Sequence, residues 1–305
     1  MRVAVTGATG YVGRHVVERL IRRDHEVVVL ARTPNRAGWL SDRGVELVPG
    51  DLEDQHALRR LVDGAGAVVN LVGIIVEIGR QTFERVQAAG TRNVVAAARE
   101  AGVPRFVQMS ALGARPDAVA TGYHRSKAAG EEAVRMSGLS HAVFRPSLIA
   151  AQGNEVLKML VGMLRFSPVV PVIGDGQYKL QPVWADDVAE AFALAIERPD
   201  LQGTFDIAGP DQLTYHQLLD QLEAALGVKR ARVMAPVAVV RFAAYAGTVL
   251  PNLNPITPDQ LQMLLEGSTT EQNALPGVFG VTPRAFCEVA REICAPYAAT
   301  VAVQA

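Results

Sequence analysis

The 305-residue chain predicts an α/β fold, a doubly wound parallel sheet followed by a smaller, mainly helical C-terminal domain. Three observations carry this. Short apolar, β-branched runs alternate with helical patterns through the first half. Those runs are apolar almost without a break, as strands covered on both faces must be. A glycine-rich turn joins the first run to the first helical pattern, the place where a doubly wound sheet receives its ligand.

The strands are read at "VAV" (3–5), "EVVVLA" (26–31), "VELVP" (45–49), "AVVNLVG" (67–73), "RFVQMS" (105–110) and "HAVFRP" (141–146). Helical spacing falls between them at 11–23, 54–62, 82–101 and 122–137. After Pro146 the alternation breaks down. Residues 165–177, rich in Pro and Gly, read as a loop. Later helices are expected at 185–197, 214–226, 235–249, 257–266 and 283–292. The expected domains are 1–150, with segments near 179–208 returning to it, and 151–305.

Composition narrows the function classes. Apolar residues make up 49% of the chain, enough for a substantial core. The formal net charge of -1 argues for no nucleic-acid partner. Cys287 and Cys294 form neither a metal pattern nor a disulfide framework; two buried thiols in a reducing cytosol are expected, with no metal site. No signal-like run precedes the first strand, so a cytoplasmic location is expected. The stretch 233–250 is dense in apolar residues but interrupted by Pro236, Arg241 and Gly247. It reads either as a helix packed on the second domain or as an amphipathic surface helix for peripheral contact with lipid or a protein partner.

In "VAVTGATGYVGRHVVERL" (3–20), Gly7, Gly10 and Gly13 stand three apart after a strand and open a helix. One glycine permits the tight turn, another lets backbone approach a pyrophosphate, and the third lets helix and strand pack closely. The unpaired N–H groups of the helix start then face the phosphates. This points to a dinucleotide. In NAD-binding sheets an acidic residue ends the second strand and holds the ribose 2′-OH. Here that place holds Leu30 or Ala31, with Arg32 next and Arg36 close by. Arginine presents a fork of donors suited to a 2′-phosphate, so NADP(H) is preferred, with NAD(H) as the other option. Tyr123 and Lys127 in "YHRSK" stand four apart and share one helix face.

These words together resemble the short-chain dehydrogenase/reductases, in their extended and atypical (epimerase/dehydratase-like) branches. The resemblance runs through "GDLED" (50–54), "NLVG" (70–73), "GTRNVVAAAREAGVPRFVQMSALGA" (90–114), "YHRSKAAGE" (123–131), "FRPSLI" (144–149) and "QPVWADDVAEAF" (181–192). "SPVVPVIGDG" and "ITPDQLQMLLEG" narrow it to the group containing the nucleotide-binding accessory subunit of respiratory complex I and its bacterial relatives. The resemblance implies a Rossmann fold and a cofactor turn that includes Thr9, Tyr11 and Val12. It implies that Asp51 and Leu52 border the adenine. Asn70, Val72 and Gly73 would border the adenosine-side ribose and pyrophosphate, and Pro146 would shape the nicotinamide pocket. It makes Tyr123 the proton donor or acceptor, and gives Lys127 the nicotinamide ribose and the task of favouring the phenolate.

The chain departs from the pattern in one respect. Active relatives carry Ser or Thr just after the fifth strand; here Ala111 takes that place and Ser110 stands one position early. Ser110 either serves as the third catalytic donor on a shifted turn or bonds backbone at the strand end. The expected function is an NADP(H)-dependent oxidoreductase, or a sugar-nucleotide or carbonyl-modifying enzyme, acting on an unidentified small molecule. The opposing reading is a weakly active or inactive NADP(H)-binding structural, assembly or redox-sensing protein. Other polar residues receive plainer expectations. His15 packs in the first helix, His124 lies at the surface or lines the substrate pocket, and Asp186 caps the 185–197 helix. Asn93 supports neighbouring backbone. Tyr178 and Trp184 line the substrate cleft or pack between domains.

Overall fold

The computed structural model describes residues 1–247 and 256–298. The elements run β1 (Arg2–Thr6), α1 (Tyr11–Arg22), β2 (Glu26–Ala31), α2 (Gly38–Ser41), β3 (Glu46–Pro49), α3 (Gln55–Val62), β4 (Ala67–Asn70), α4 (Gly90–Glu100), β5 (Arg105–Met109), α5 (Gly122–Arg135) and β6 (Ser140–Pro146). There follow β7 (Ile149–Ala150), α6 (Glu155–Phe166), β8 (Val169–Ile173), β9 (Lys179–Leu180), β10 (Val183–Trp184), α7 (Ala185–Glu197), β11 (Gly203–Ile207), β12 (Leu213–Thr214), α8 (Tyr215–Leu226), β13 (Ala231–Ala235), α9 (Val237–Gly247), α10 (Pro258–Glu266), α11 (Ala274–Gly277) and α12 (Phe286–Ala298).

The chain forms two compact units. The first holds Met1–Pro146, Ala185–Ile207 and Gln272–Val281. It is built on a seven-stranded sheet of order β11-β6-β5-β4-β1-β2-β3, every pairing parallel. The strand order reverses between β1 and β4, so the crevice of a doubly wound sheet opens beyond Thr6 and Asn70. The continuous apolar strands are covered on both faces: Val3, Val28, Val68, Phe106 and Val143 are fully buried. Burying a side chain of this size stabilises the fold by roughly 1.5–3 kcal/mol. On one face α3 and α4 contribute Leu58, Leu61, Val94 and Ala98 to the core. The α3 start is capped by Asp54, whose carboxylate accepts the His56 and Ala57 N–H groups at 3.0 Å. On the other face α1 and α7 are laced by Arg19 and Arg23 to Glu190 and by Arg23 to Glu197.

The second unit holds the described residues within Ser147–Trp184, within Ala208–Glu271 and from Thr282 on. Its core joins α6, α8 and α12 through Leu157, Leu164, Leu218, Leu222, Phe286 and Ile293. Tyr178 and Trp184 belong to this core, and the Tyr178 ring lies 5.4 Å from that of Tyr215.

Several expectations need correcting. Residues 165–177 are not all loop: β8 pairs in parallel with β13, Val169 facing Ala231 and Ile173 facing Ala235. Pro171 is tolerated because each strand of a two-stranded ribbon has an open edge. Helix α6 is not among the expected helices; Asn154 starts it by accepting the Leu157 N–H at 3.0 Å. Its nearly unbroken apolar run hides the Leu157–Leu160–Val161–Leu164 stripe. The fourth strand stops at Asn70 rather than residue 73, and the helix expected at 82–101 begins with a π turn, Glu84–Ala89, before α4. The last helix runs over Phe286–Ala298, not 283–292. Cys294 is buried but Cys287 is exposed.

Candidate functional site

The turn after β1 shows why three glycines stand there. Gly7 has φ +76°, and a β-carbon on it would meet Leu71 C and Val72 N at 2.9 Å. It therefore serves both the left-handed turn and the close approach to the end of β4. A β-carbon on Gly13 would stand 2.3 Å from Gly7 O and 2.6 Å from Ala8 Cα, so α1 packs directly on the turn. Gly10 differs: a β-carbon there would meet only Gly7 O, at 3.3 Å, and otherwise open space. Gly10 precedes α1 and brings no capping side chain to the helix start. Thr9 and Tyr11 are exposed beside it, while Val12 is buried. The turn thus leaves a side-chain-free cradle at a helix N-terminus, which fits a pyrophosphate.

Beyond β4 the backbone, not the Asn70 side chain, faces the crevice. Asn70 is buried, accepts the Thr6 hydroxyl at 2.5 Å and donates to Thr91 Oγ1 (3.1 Å) and Gln108 Oε1 (2.8 Å). Each polar atom of the amide is engaged inside the sheet. Val72 and Gly73 follow, Gly73 exposed. Asp51 shapes its own turn, its Oδ1 accepting the Glu53 N–H at 2.9 Å and the Asp54 N–H at 3.2 Å. Leu52 packs under Gly90, and Asn93 holds the Leu52 carbonyl at 2.8 Å, the backbone support expected of it. Arg32 projects from the end of β2, exposed and without an ion pair among the described residues. Arg36 closes a 3-10 turn, Pro34–Arg36, and its side chain lies outside the described residues.

Helix α5, started by Thr121 accepting the His124 N–H at 3.1 Å, carries the chemistry-bearing residues. Tyr123 is half-buried, edge-on to Phe83 at 5.9 Å and to His124 at 5.5 Å. Burial, with Tyr11 adding to it, pushes its phenol well above the ordinary range. Desolvation is the main cause, and it holds Tyr123 as the neutral phenol. Lys127 is buried. Its Nζ donates to Met109 O at 3.4 Å and lies 5.9 Å from the Tyr123 ring centre. Burial lowers its pKa to about 8, opposed by Glu131. Lys127 also reaches Gly73: a β-carbon at 73 would stand 2.7 Å from Nζ. The structure therefore brings Tyr123, Lys127 and Gly73 together.

Ser110 faces Glu131. It is buried, and its hydroxyl donates to Glu131 Oε1 at 2.5 Å. Neither strand-end backbone bonding nor a free catalytic donor describes that hydroxyl. Ala111 follows with only a methyl. Pro146 ends β6, buried, its carbonyl accepting the Leu112 N–H at 3.0 Å. His124 is buried beneath the Gly113 turn, not at the surface. His15 pairs with Asp186, Nδ1 to Oδ1 at 2.6 Å, which gives that carboxylate a partner on α1.

Sequence reasoning misses Gln87 and the Glu131–Arg145 pair. Gln87 sits on the π turn, buried, accepting the Ile74 N–H at 2.8 Å and donating to Ser126 Oγ at 2.6 Å. It ties the loop after Gly73 to α5. π turns recur at functional sites, but no local sequence word announces one. Glu131 ends the quoted "YHRSKAAGE" word, four residues past Lys127, which is the available signal.

Comparison with known proteins agrees with this architecture. A ceramide reductase of Caulobacter vibrioides is 33% identical over 236 residues, covering 77% of this chain and 73% of that protein. A mitochondrial NADH dehydrogenase [ubiquinone] 1 alpha subcomplex subunit 9 of Arabidopsis thaliana is 30% identical over 225 residues, 71% of this chain but only 56% of that subunit. The crystal structure of a Thermus thermophilus UDP-glucose 4-epimerase in complex with NAD superposes with a TM-score of 0.74 at 24% identity, covering 95% of this chain and 97% of the epimerase, a likeness of fold. The pattern of the NAD dependent epimerase/dehydratase family matches residues 3–208, and the chain belongs to that family.

Proposed function

We propose that this protein is an NADP(H)-dependent oxidoreductase that reduces a small-molecule carbonyl. The observation that carries the reading is the shared face of α5, where Lys127 lies between the Tyr123 ring and Gly73 at the end of the cofactor crevice. The Gly7–Gly13 turn, with Thr9, Tyr11 and Val12, holds the pyrophosphate. Arg32, with Arg36, takes the 2′-phosphate. Asp51 and Leu52 border the adenine, Val72 and Gly73 offer backbone to the adenosine side, and Pro146 borders the nicotinamide. NADP(H), when bound, supplies hydride at nicotinamide C4.

Tyr123, a neutral phenol on the face it shares with Lys127, is the acid that protonates the carbonyl oxygen. Lys127 holds the nicotinamide ribose and is charged below its pKa of about 8. The relative named a ceramide reductase supports reduction as the direction. The missing third donor, with Ala111 in its place and Ser110 bonded to Glu131, makes turnover slow; loss of such a donor costs about a hundredfold or more.

That same feature favours a second reading, a cofactor-stabilised structural or assembly protein like the complex I subunit, in peripheral contact with an anionic membrane through α9. Exposed Val239, Phe242 and Tyr245 support the contact surface.

The experiment that separates the two is an NADPH-oxidation assay over a broad carbonyl panel. Tyr123→Phe is expected to abolish reduction while binding NADPH, and Ala111→Ser to raise the rate. Tight NADPH binding with no turnover in any variant favours the structural reading.

A further inference from the structure

The face of α5 that bears Tyr123 and Lys127 continues one turn further to Glu131, which is 1% exposed. Three donors converge on this carboxylate. Ser110 Oγ reaches Oε1 at 2.5 Å, Arg145 Nε reaches Oε1 at 2.7 Å, and Arg145 Nη2 reaches Oε2 at 2.6 Å. The three residues come from the end of β5, from α5 and from β6. The backbone is sewn together at the same place: Ser110 N–H donates to Phe144 O at 2.7 Å and Leu112 N–H to Pro146 O at 3.0 Å. The residue before Ser110 is Met109, whose carbonyl receives Lys127 Nζ.

A buried carboxylate in water-poor surroundings is costly and is kept where it is fully paired. Pairing with Arg145 alone would satisfy that need. The extra bond from Ser110 links the carboxylate to the strand end that anchors Lys127. We propose that Glu131 is a positioning residue for the site: clamped by Ser110 and Arg145, it holds the Met109 end of β5 against α5 and so fixes the place of the Lys127 ammonium. This rests on the reading of Lys127 as a cofactor contact.

The groups that face Lys127 are few. On its own helix they are Tyr123 and Glu131. From β5 comes the Met109 carbonyl and from the loop after β4 comes Gly73, beside which the Gln87 amide oxygen also stands. Arg145 lies behind Glu131, with Asp206 opposite it on β11. Among the described residues, Glu131 is the charged group that acts on Lys127, and it opposes the burial that pulls the ammonium down to about 8. Loss of the Glu131 charge therefore lowers the pH at which Lys127 gives up its proton.

The test is NADPH affinity by calorimetry from pH 7 to 10 on the full chain. Wild-type affinity is expected to fall across a midpoint near Lys127 deprotonation. Glu131→Gln is expected to move that midpoint down by roughly one pH unit. Because Glu131→Gln removes the carboxylate that clamps Arg145 and threatens folding, the double variant Glu131→Gln/Arg145→Met, which removes both charges, is measured beside it and is expected to shift the same way. Lys127→Met is expected to flatten the profile. A flat Lys127→Met profile with an unmoved midpoint in the folded Glu131 variants overturns the proposal and reduces Glu131 to a packing role. A Lys127→Met profile like the wild type overturns the reading of Lys127 itself.

Discussion

Lys127 and Gly73 are in such close register that a β-carbon added at position 73 would stand 2.7 Å from the lysine nitrogen and 3.5 Å from its Cε. The loop after the fourth strand and the middle of α5, far apart in sequence, thus meet beside the proposed cofactor crevice. The contact exists because Gly73 has no side chain.

Gly73→Ala follows from this directly. The methyl meets the far end of a flexible lysine, which can move, so the fold should lose no more than about 1 kcal/mol. The moved ammonium should weaken NADPH binding about tenfold, read by calorimetry beside thermal unfolding. Unchanged affinity would place Lys127 outside the cofactor site.

Gly10 and Gly13 should separate binding from folding. Gly13→Ala drives a methyl into the backbone of Gly7 and Ala8, and overpacking of this kind costs roughly 1–3 kcal/mol. The β-carbon of Gly10→Val meets only Gly7 O, at 3.3 Å, so the fold should persist while the branched side chain fills the cradle and NADPH binding is lost. Denaturant unfolding and calorimetry on both variants check the pair. A folded Gly10→Val protein with wild-type NADPH affinity would contradict the assignment.

Arg32 should decide between cofactors. It is exposed and without an ion pair among the described residues, so its guanidinium is available to a phosphate. A charged contact of this kind is worth about 1.5–3 kcal/mol, or roughly ten- to a hundredfold in affinity. Arg32→Ala should cost NADPH that much and leave NADH unchanged. Equal or tighter NADH binding by the unmodified protein would reverse the preference.

Helix α9 should bring the protein to anionic vesicles. Phe242 is 77% exposed, and Val239 and Tyr245 are exposed beside it on a helix whose only charge is Arg241. Among the described residues no helix is long and apolar enough to cross a membrane. Flotation with vesicles rich in phosphatidylserine should recover the protein, and Phe242→Asp should reduce recovery several-fold. Protein that stays wholly with the unbound fraction rules the contact out.

Much of the fold is legible in the residues alone. Continuous apolar strands, helical spacing and a glycine turn are local signals, set by backbone sterics and by which faces must leave water, so the doubly wound sheet and the family can be read from residues 1–226. The spacing of Tyr123 and Lys127 likewise needs only the helical repeat. The order of strands, the parallel pairing of β8 with β13, and the partner of each buried polar group are decided by tertiary structure alone. The partners of the Asn70 side chain, Thr6, Thr91 and Gln108, come from three other elements. Ser110 reads as a catalytic hydroxyl until Glu131, 21 residues away, accepts its hydrogen bond. The burial that raises the Tyr123 phenol is likewise supplied by the surrounding fold. A hydrogen bond or a desolvation cost depends on what arrives from distant parts of the chain, and no local pattern encodes that arrival.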